Sequence, residues 1–339
     1  MSENQNVIKI SAKEMQALFS GILIKYHFTE ERALQCAKVF TESSLDGIYT
    51  HGVNRFPRFV QYIKQGFVKA DAAPSMENKF GGMEQWNGNL GPGISNALRV
   101  TDIVMSLAKE HGIGCVALRN TNHWMRGGTY GWKAAREGYV FIGWTNTIAN
   151  MPAWGAKDAR LGNNPLVLAL PYKDDAIVLD MAMSQYSYGA LDMAVMKKEQ
   201  LSVPGGFDAD GNLTTDPEAI LAANAPLPVG YWKGAGLSLL LDLLATILSG
   251  GLSTYELSKK EFEYSLSQVF IAIDISKLGN RSVIARTIET ILEDYHQSIP
   301  VNNNRKIVYP GERVLQTRKN NTIGGIPVLE KVWKEINAL

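Results

Sequence analysis

The sequence predicts an α/β (α+β) fold in two parts: a mixed α/β domain over residues 76–314, and a helical domain assembled discontinuously from residues 1–75 and 315–339. Three patterns carry that reading. Apolar residues recur at helical spacing through the first 66 residues, short β-rich runs alternate with helical ones from about residue 76, and the segment from Pro327 returns to a helical pattern. A chain of 339 residues with 45% hydrophobic and 20% charged side chains has a globular composition, so disorder and fibrous architectures are excluded.

The first helix opens on a capping-box pair, Ser11 and Glu14, and continues through Met15, Leu18, Phe19, Ile22, Leu23 and Tyr26 on one face. A second starts at Thr29, keeps Ala33, Cys36, Ala37 and Phe40 together, and stops at Gly47. After Ile48 to Gly52, a third carries Val53, Phe56, Phe59, Val60 and Ile63 to Gly66, with Pro57 in its first turns. In the second part, strands are expected at Gly114–Leu118, Tyr139–Asn146, Pro165–Leu170, Ala176–Met183 and Gln268–Ile275. Helices are expected near Ser95–Glu110, Thr129–Glu137, Gly236–Leu248 and Ser282–Gln297. Pro204 to Pro228 reads as a long loop or hairpin, and no internal repeat is present.

Charge and cysteine usage narrow the partners. Lys and Arg number 34 against 33 for Asp and Glu, a net +1, so no long-range field attracts nucleic acid or an anionic membrane. Cys36 and Cys115 belong to no CxxC pair and lie in apolar runs, which suits buried thiols in a reducing compartment. MSENQNVIKI lacks a basic region followed by an apolar one, so no secretory leader is expected. Gly236–Leu248 is interrupted by Asp242 and falls short of the ~20 residues of a bilayer span. A cytoplasmic protein without a nucleic-acid or membrane partner is the expectation.

Several familiar site patterns are absent. Three GxG starts, at Gly91, Gly112 and Gly234, lack the third glycine of GxGxxG, so no Rossmann fingerprint is present. Neither GxxxxGK[ST] nor GxSxG occurs, and the histidines at 27, 51, 111, 123 and 296 show no HxxxH or HxH spacing, so no metal site is expected. What remains is a set of polar residues at the ends of elements. His51 and Arg55, four apart at the start of the third helix, are expected to share one face and point into the same space, and an imidazole beside a guanidinium suits a 2-oxo acid. Spacing alone equally fits a surface pair at a helix start. His123 leaves a strand end, where it is either a second acid/base or orienting group or a structural histidine. Thr145-Asn146-Thr147 and Gly162-Asn163-Asn164-Pro165 stand at strand boundaries, where they bind substrate oxygens or close turns. Trp232 and Lys233 precede a strongly apolar helix whose Gly234-Ala235-Gly236 start suits the approach of a pyrophosphate.

Taken together these segments resemble a known family. Thr50-His51-Gly52-Val53-Asn54-Arg55, Asn122-His123-Trp124, Pro152 to Lys157 and Leu161-Gly162-Asn163-Asn164-Pro165 are similar to the malate/L-lactate dehydrogenase family of NAD(P)-dependent oxidoreductases, which lacks the Rossmann fold. Asp180 to Ser184, Tyr231-Trp232-Lys233-Gly234 and Val308 to Glu312 continue the likeness in order, so it runs from about Ser11 to Leu339. The runs His51 to Phe59 and Asn122 to Gly128 resemble a branch acting on a six-carbon diketo sugar acid. Gln185 to Gly189, where most of the family has a different segment, points the same way.

The resemblance implies a non-Rossmann mixed-sheet cofactor domain, with the active site between it and the helical domain. It implies His51 as proton donor, His123 as a second catalytic histidine, and Arg55, Thr50 and Asn164 as substrate-binding residues. Ala176, Ile177, Val178, Leu179, Asp180, Met181 and Ala182, with Trp232, Lys233, Glu312, Arg313 and Val314, are implied to contact the cofactor. That cofactor is NAD, with NADH preferred and NADPH accepted, the substrate is a small sugar-derived 2-oxo acid, and the assembly is a homodimer. Malate, lactate or ureidoglycolate remain alternative substrates within the family, and a non-catalytic sugar-acid binding protein is the alternative from another class.

Overall fold

The protein is described by a computed structural model over residues 6–302 and 306–339. Residues 1–5, on which the leader expectation partly rests, and residues 303–305 of the expected α/β domain lie outside it. Strand β1 (Val7–Ile10) leads into α1 (Ala12–Lys25), α2 (Glu30–Leu45), two single turns of 3-10 helix (Tyr49–His51 and Val53–Arg55) and α3 (Phe56–Lys64). The hairpin β2 (Ser75–Phe80) and β3 (Met83–Asn87) is followed by α4 (Gly93–His111), β4 (Ile113–Thr121), α5 (Gly128–Arg136) and β5 (Tyr139–Thr145). Two short strands, β6 (Met151–Pro152) and β7 (Ala159–Leu161), precede β8 (Leu166–Tyr172), β9 (Asp175–Met181) and α6 (Tyr188–Lys197). Then come β10 (Gly206–Phe207), β11 (Leu213–Thr214), α7 (Pro217–Ala223), α8 (Trp232–Ser249), α9 (Thr254–Leu257) and β12 (Leu266–Asp274). The chain closes with α10 (Arg281–His296), α11 (Glu312–Gly324), β13 (Ile326–Leu329) and α12 (Glu330–Asn337).

Seven strands form one sheet in the order β2-β3-β4-β12-β5-β8-β9. Only β3 and β4 run parallel; every other neighbouring pair is antiparallel. A doubly wound dinucleotide fold needs successive parallel crossovers, so the sheet is of a different kind, as the missing glycine fingerprint implied. Buried Val100, Val104 and Tyr130 of α4 and α5 meet Val116, Phe141 and Phe270 on one face. On the other, Ala235, Leu241 and Ala245 of α8 pack on Ala117, Trp144 and Val269.

The helical lobe is built around aromatic rings. Ser11 accepts the Glu14 amide, which is the Ser half of the expected capping box, and Thr29 accepts that of Arg32. Phe19 stacks on Phe56 at 4.0 Å, and Phe40 meets Phe56 edge-on at 5.3 Å. Cys36 is buried in this core and Cys115 is half-buried against the far face of the sheet; burial pushes the two thiols up to about 12 and about 11.

Four local expectations change. The segment from Pro327 is not helical at once: Ile326–Leu329 pairs antiparallel with Val7–Ile10, burying Ile326 and Val328 in the helical core, and the helix begins at Glu330. The third helix starts later than its apolar pattern implied, because the chain turns twice around Gly52 before Phe56. Pro204 to Pro228 contains the hairpin β10–β11 and also α7. Finally, α8 extends the expected helix to 18 residues, long and apolar enough by composition to cross a membrane. Its inner face is tied to the protein by Asp242, whose carboxylate accepts from Asn146 and from the Thr254 amide, while Leu240, Leu244 and Ile247 are exposed on the other.

Candidate active site

Two adjoining cavities lie where the helical lobe meets the sheet, and they share Thr50, His51, Asn163 and Gly189 in their walls. The larger, about 840 Å³, is polar and is lined by His51, Arg55, Arg58, His123, Asp192 and Glu263 among others. The smaller, about 500 Å³, has flat apolar walls of Trp124, Trp132, Val178, Leu179, Pro310 and Val314, with Arg126 and Asp180 as its charged groups.

The His51 turn is held by a backbone that no side chain at position 52 would permit. The Ser44 hydroxyl donates to the Phe40 carbonyl and accepts the Val53 amide, both at 2.8 Å. A Cβ on Gly52 would sit 2.2 Å from that hydroxyl oxygen, so α2 approaches the turn only because residue 52 is glycine. The same turn places Arg55 in the larger cavity with His51, not on one face of an α-helix as the four-residue spacing implied. Opposite, α6 comes so close that a Cβ on Gly189 would meet the Thr50 methyl at 2.2 Å.

The His51 and His123 rings lie 5.7 Å apart and tilted by 27°. Thr50 Oγ1 bonds His51 Nδ1 at 3.2 Å, and the Met125 amide donates to His123 Nδ1 at 2.9 Å. Burial, then the positive charges of Arg55 and Arg126, lower the His51 pKa from 6.5 to about 4. His123 is held well below the ordinary imidazole value by burial and by Arg55, His51 and Arg58. Both rings are neutral at pH 7 in the free protein. Burial lowers the Arg55 pKa while Glu263 opposes it, and a guanidinium stays charged throughout.

Behind the smaller cavity, Asp46 at the end of α2 is fully buried and gathers two guanidiniums. Arg126 bonds one of its oxygens, and Arg318 of α11 reaches both. Arg126 also lies 4.6 Å over the Trp132 ring. One carboxylate therefore fastens the helical lobe, the loop before α5 and α11 together. Asp180 accepts the Gly128 amide at 2.8 Å, and partial desolvation of its carboxyl on the cavity wall raises its pKa against the pull of Arg126.

Of the residues singled out from sequence, Thr50, His51, Arg55, His123, Val178, Leu179, Asp180, Ala182 and Val314 line these cavities. Ala176, Ile177 and Met181 share β9 but line neither cavity; Ala176 belongs to the core on one face of the sheet and Met181 packs against the core on the other. Asn164 is buried and committed: its amide donates to Ser238 and its oxygen accepts the Thr147 amide. Its neighbour Asn163 lines both cavities instead. Trp232 and Lys233 stand at the exposed start of α8 and line neither, Trp232 being 65% exposed. Glu312 turns away from the cavity to His296 and Lys306, and Arg313 does not line it. Arg58 and Arg126 were not singled out as site residues, although both stand inside the sequence runs that carried the family likeness. Among the described residues, no three His, Cys, Asp or Glu side chains converge as a metal site.

Comparison with known proteins supplies the rest. Residues 10–337 match the family described as malate/L-lactate dehydrogenase. The 2,3-diketo-L-gulonate reductases of Escherichia coli O6:K15:H31 and of strain K12 are 43% and 42% identical over 333 residues, 98% of this chain and 100% of theirs. Among solved structures, malate dehydrogenase from Pyrococcus horikoshii superposes with a TM-score of 0.88 at 29% identity, covering 99% of this chain and 95% of that one. Sulfolactate dehydrogenase from Methanocaldococcus jannaschii gives 0.89 at 26% identity, covering 98% and 96%. Both lobes and the cleft between them fall inside these likenesses, and this chain belongs to the malate/L-lactate dehydrogenase family of oxidoreductases.

Proposed function

We propose that the protein reduces 2,3-diketo-L-gulonate to 3-dehydro-L-gulonate in the cleft between the helical lobe of residues 1–75 and 315–339 and the sheet of residues 76–314. The observation that carries this is the cavity in which His51 and His123, 5.7 Å apart, share the wall with Arg55 and Arg58, opening beside a flat apolar slot. The names of the 43% identical relatives support the choice of substrate.

The slot fits a nicotinamide. Gly311, at a φ of +95°, brings the backbone of Pro310–Gly311 against Val178 and Trp132, where a Cβ would stand 3.3 Å from both, so the wall is smooth as well as apolar. Val178, Leu179, Ala182 and Val314 would hold the ring, with Arg126 and Asp180 at its polar edge. A bound dihydronicotinamide supplies the hydride. NADH is the preferred form and NADPH the second, a preference resting on the resemblance to the diketo sugar acid branch.

Arg55 and Arg58 hold the substrate carboxylate with charge-assisted hydrogen bonds. An anion there offsets the positive field on His51, so the imidazole pKa rises as substrate binds. His51 then protonates the alkoxide that forms at the reduced carbon. Oxidation of NADH by the purified protein, followed with 2,3-diketo-L-gulonate beside oxaloacetate and pyruvate and with an NADPH control, tests the assignment. Turnover confined to the diketo acid is expected; turnover only with the simpler oxo acids overturns the substrate and leaves the chemistry.

The open face of α8 supports a homodimer, with a second copy covering Leu240, Leu244 and Ile247, the last 70% exposed. Sedimentation is expected to give twice the 37.3 kDa chain mass, with Leu240→Glu shifting it to the monomer; a monomeric parent sinks this reading. Unpaired Cys36 and Cys115 suit the cytoplasm, and the net charge of +1 suits a small-molecule partner rather than nucleic acid.

A further inference from the structure

The two histidines differ in what stands behind them. We infer that His123 works as a permanently neutral hydrogen-bond donor, presenting Nε2–H to a substrate oxygen, and that His51 alone carries the proton of the reaction. The inference rests on the proposed reduction for its chemistry and on the backbone geometry for its division of labour.

A backbone amide only donates. The Met125 N–H points at His123 Nδ1 from 2.9 Å, so that nitrogen is the acceptor and the ring proton sits on Nε2. Protonating Nδ1 would set two N–H groups against each other. The amide cannot turn aside, because its loop is fixed at several points. The Asn122 side-chain Nδ2 shares its two hydrogens among the carbonyls of Phe67, Leu90 and Gly91, the Tyr130 hydroxyl donates to the Trp124 carbonyl at 2.6 Å, and Met125 itself holds a φ of +63°. Among the described residues, no protein group pairs with Nε2, and the ring lines the larger cavity.

His51 has the opposite backing. The hydroxyl of Thr50 both donates and accepts, so it rotates to suit either state of Nδ1. Neutral and protonated His51 are therefore both hydrogen-bonded, whereas only neutral His123 is. The surrounding charges reinforce the difference. His123 faces Arg55, Arg58 and His51, and His51 faces Arg55 and Arg126; the carboxylates lining the two cavities are Asp192 of α6, Glu263, which acts on Arg55, and Asp180, which acts with Arg126, and none of them offsets the positive field on either ring. Two imidazoliums 5.7 Å apart among these arginines are disfavoured.

In the reaction, the carbonyl carbon gains a hydride from NADH, and the C=O π pair becomes an alkoxide lone pair. The alkoxide takes a proton from the His51 imidazolium, which becomes neutral. His123 enters and leaves the cycle unchanged, holding a substrate oxygen in place.

Long-range ¹H–¹⁵N spectra of histidine-labelled protein between pH 5 and 8 test this directly, with His123 assigned by elimination using variants of the other four histidines. One Nε2–H tautomer, unchanged across the range, is expected. An Nδ1–H tautomer, or titration to imidazolium within the range, overturns the inference. Kinetics give the second arm. His123→Gln keeps an N–H donor and is expected to lose about 10-fold in kcat/KM, mostly through KM, while keeping the parent pH profile; His123→Leu loses about a further 10-fold. His51→Gln flattens the profile. A profile flattened by His123→Gln overturns the inference. A parent protein that oxidises no NADH would overturn the proposed reduction, and the spectra would still decide the tautomer.

Discussion

The two walls of the cleft are built by opposite means. The helical-lobe wall, from Tyr49 to Arg58, consists of two single 3-10 turns and the first turn of a helix, with the turn held by the Ser44 hydroxyl on the Val53 amide and the His51 ring held by Thr50. The sheet wall, the end of strand β9 with the turn at Pro310–Gly311 and the first turn of α11, presents mainly aliphatic surface to the cavity. Groups that move protons need placement within tenths of an ångström, and short turns pinned by hydrogen bonds give it. A flat ring needs shape, and a strand edge provides that without special bonds. The first wall is sensitive to single atoms and the second to volume.

The connection between the walls gives the largest expected effect. Asp46→Ala removes the shared acceptor and leaves Arg126 buried without its carboxylate, which costs about 3–5 kcal/mol; urea unfolding measures it, and a loss under about 1 kcal/mol would show that the walls do not depend on this tie. Next, His51→Ala is expected to lower kcat at least ~100-fold with a normal unfolding midpoint. A near-normal kcat would mean the aimed wall does not perform the proton step. The smallest effect is on acid stability. The folded His51 pKa of about 4 lies below its unfolded value of 6.5, so the unfolded chain binds more protons between these limits. Stability therefore rises with pH through this window and is lost as pH falls from 6.5 towards 4, by less than about 3 kcal/mol after screening at the cavity side. His51→Gln removes the contribution, and thermal melts at pH 4.5 and 7 are expected to differ less in that variant than in the parent.

The same contrast explains what was legible in the sequence. Helices with one apolar face and a polar cap were readable: Ser11, Thr29 and the Met15–Phe19–Ile22 spacing mark α1 and α2 by local pattern alone. So were strands rich in β-branched and aromatic residues, such as β5 and β12. Elements stabilised from outside were not. Strand β2 is exposed along its length, and its SMENKF shows no alternation. Helix α11, ERVLQTRKNNTIG, is mostly polar because it packs through Arg318 on Asp46 and Asn321 on the Leu45 carbonyl, contacts that no local periodicity reports. At the site, the segment around Asn163 and Asn164 was visible but its direction was not. Two adjacent amides differ only in which way the backbone turns them, and Ser238, 74 residues on, decides that Asn164 faces inward. For His51 and Arg55, a four-residue spacing put the two on one face of a helix that does not form there, and they share a cavity wall through two turns instead; Gly52, lying between them, was the sign of the turn.

Pairing β1 with β13 has a consequence for how the protein comes into being. Lys9 and Gly325, at that junction, are 316 residues apart. On the ribosome, the first strand made waits for almost the last, so the lobe that carries His51 stays open while the whole sheet is synthesised. Closing so long a loop costs chain entropy before any contact repays it. A chain stalled before residue 326 would hold His51, Arg55 and His123 without the strand that pairs with β1.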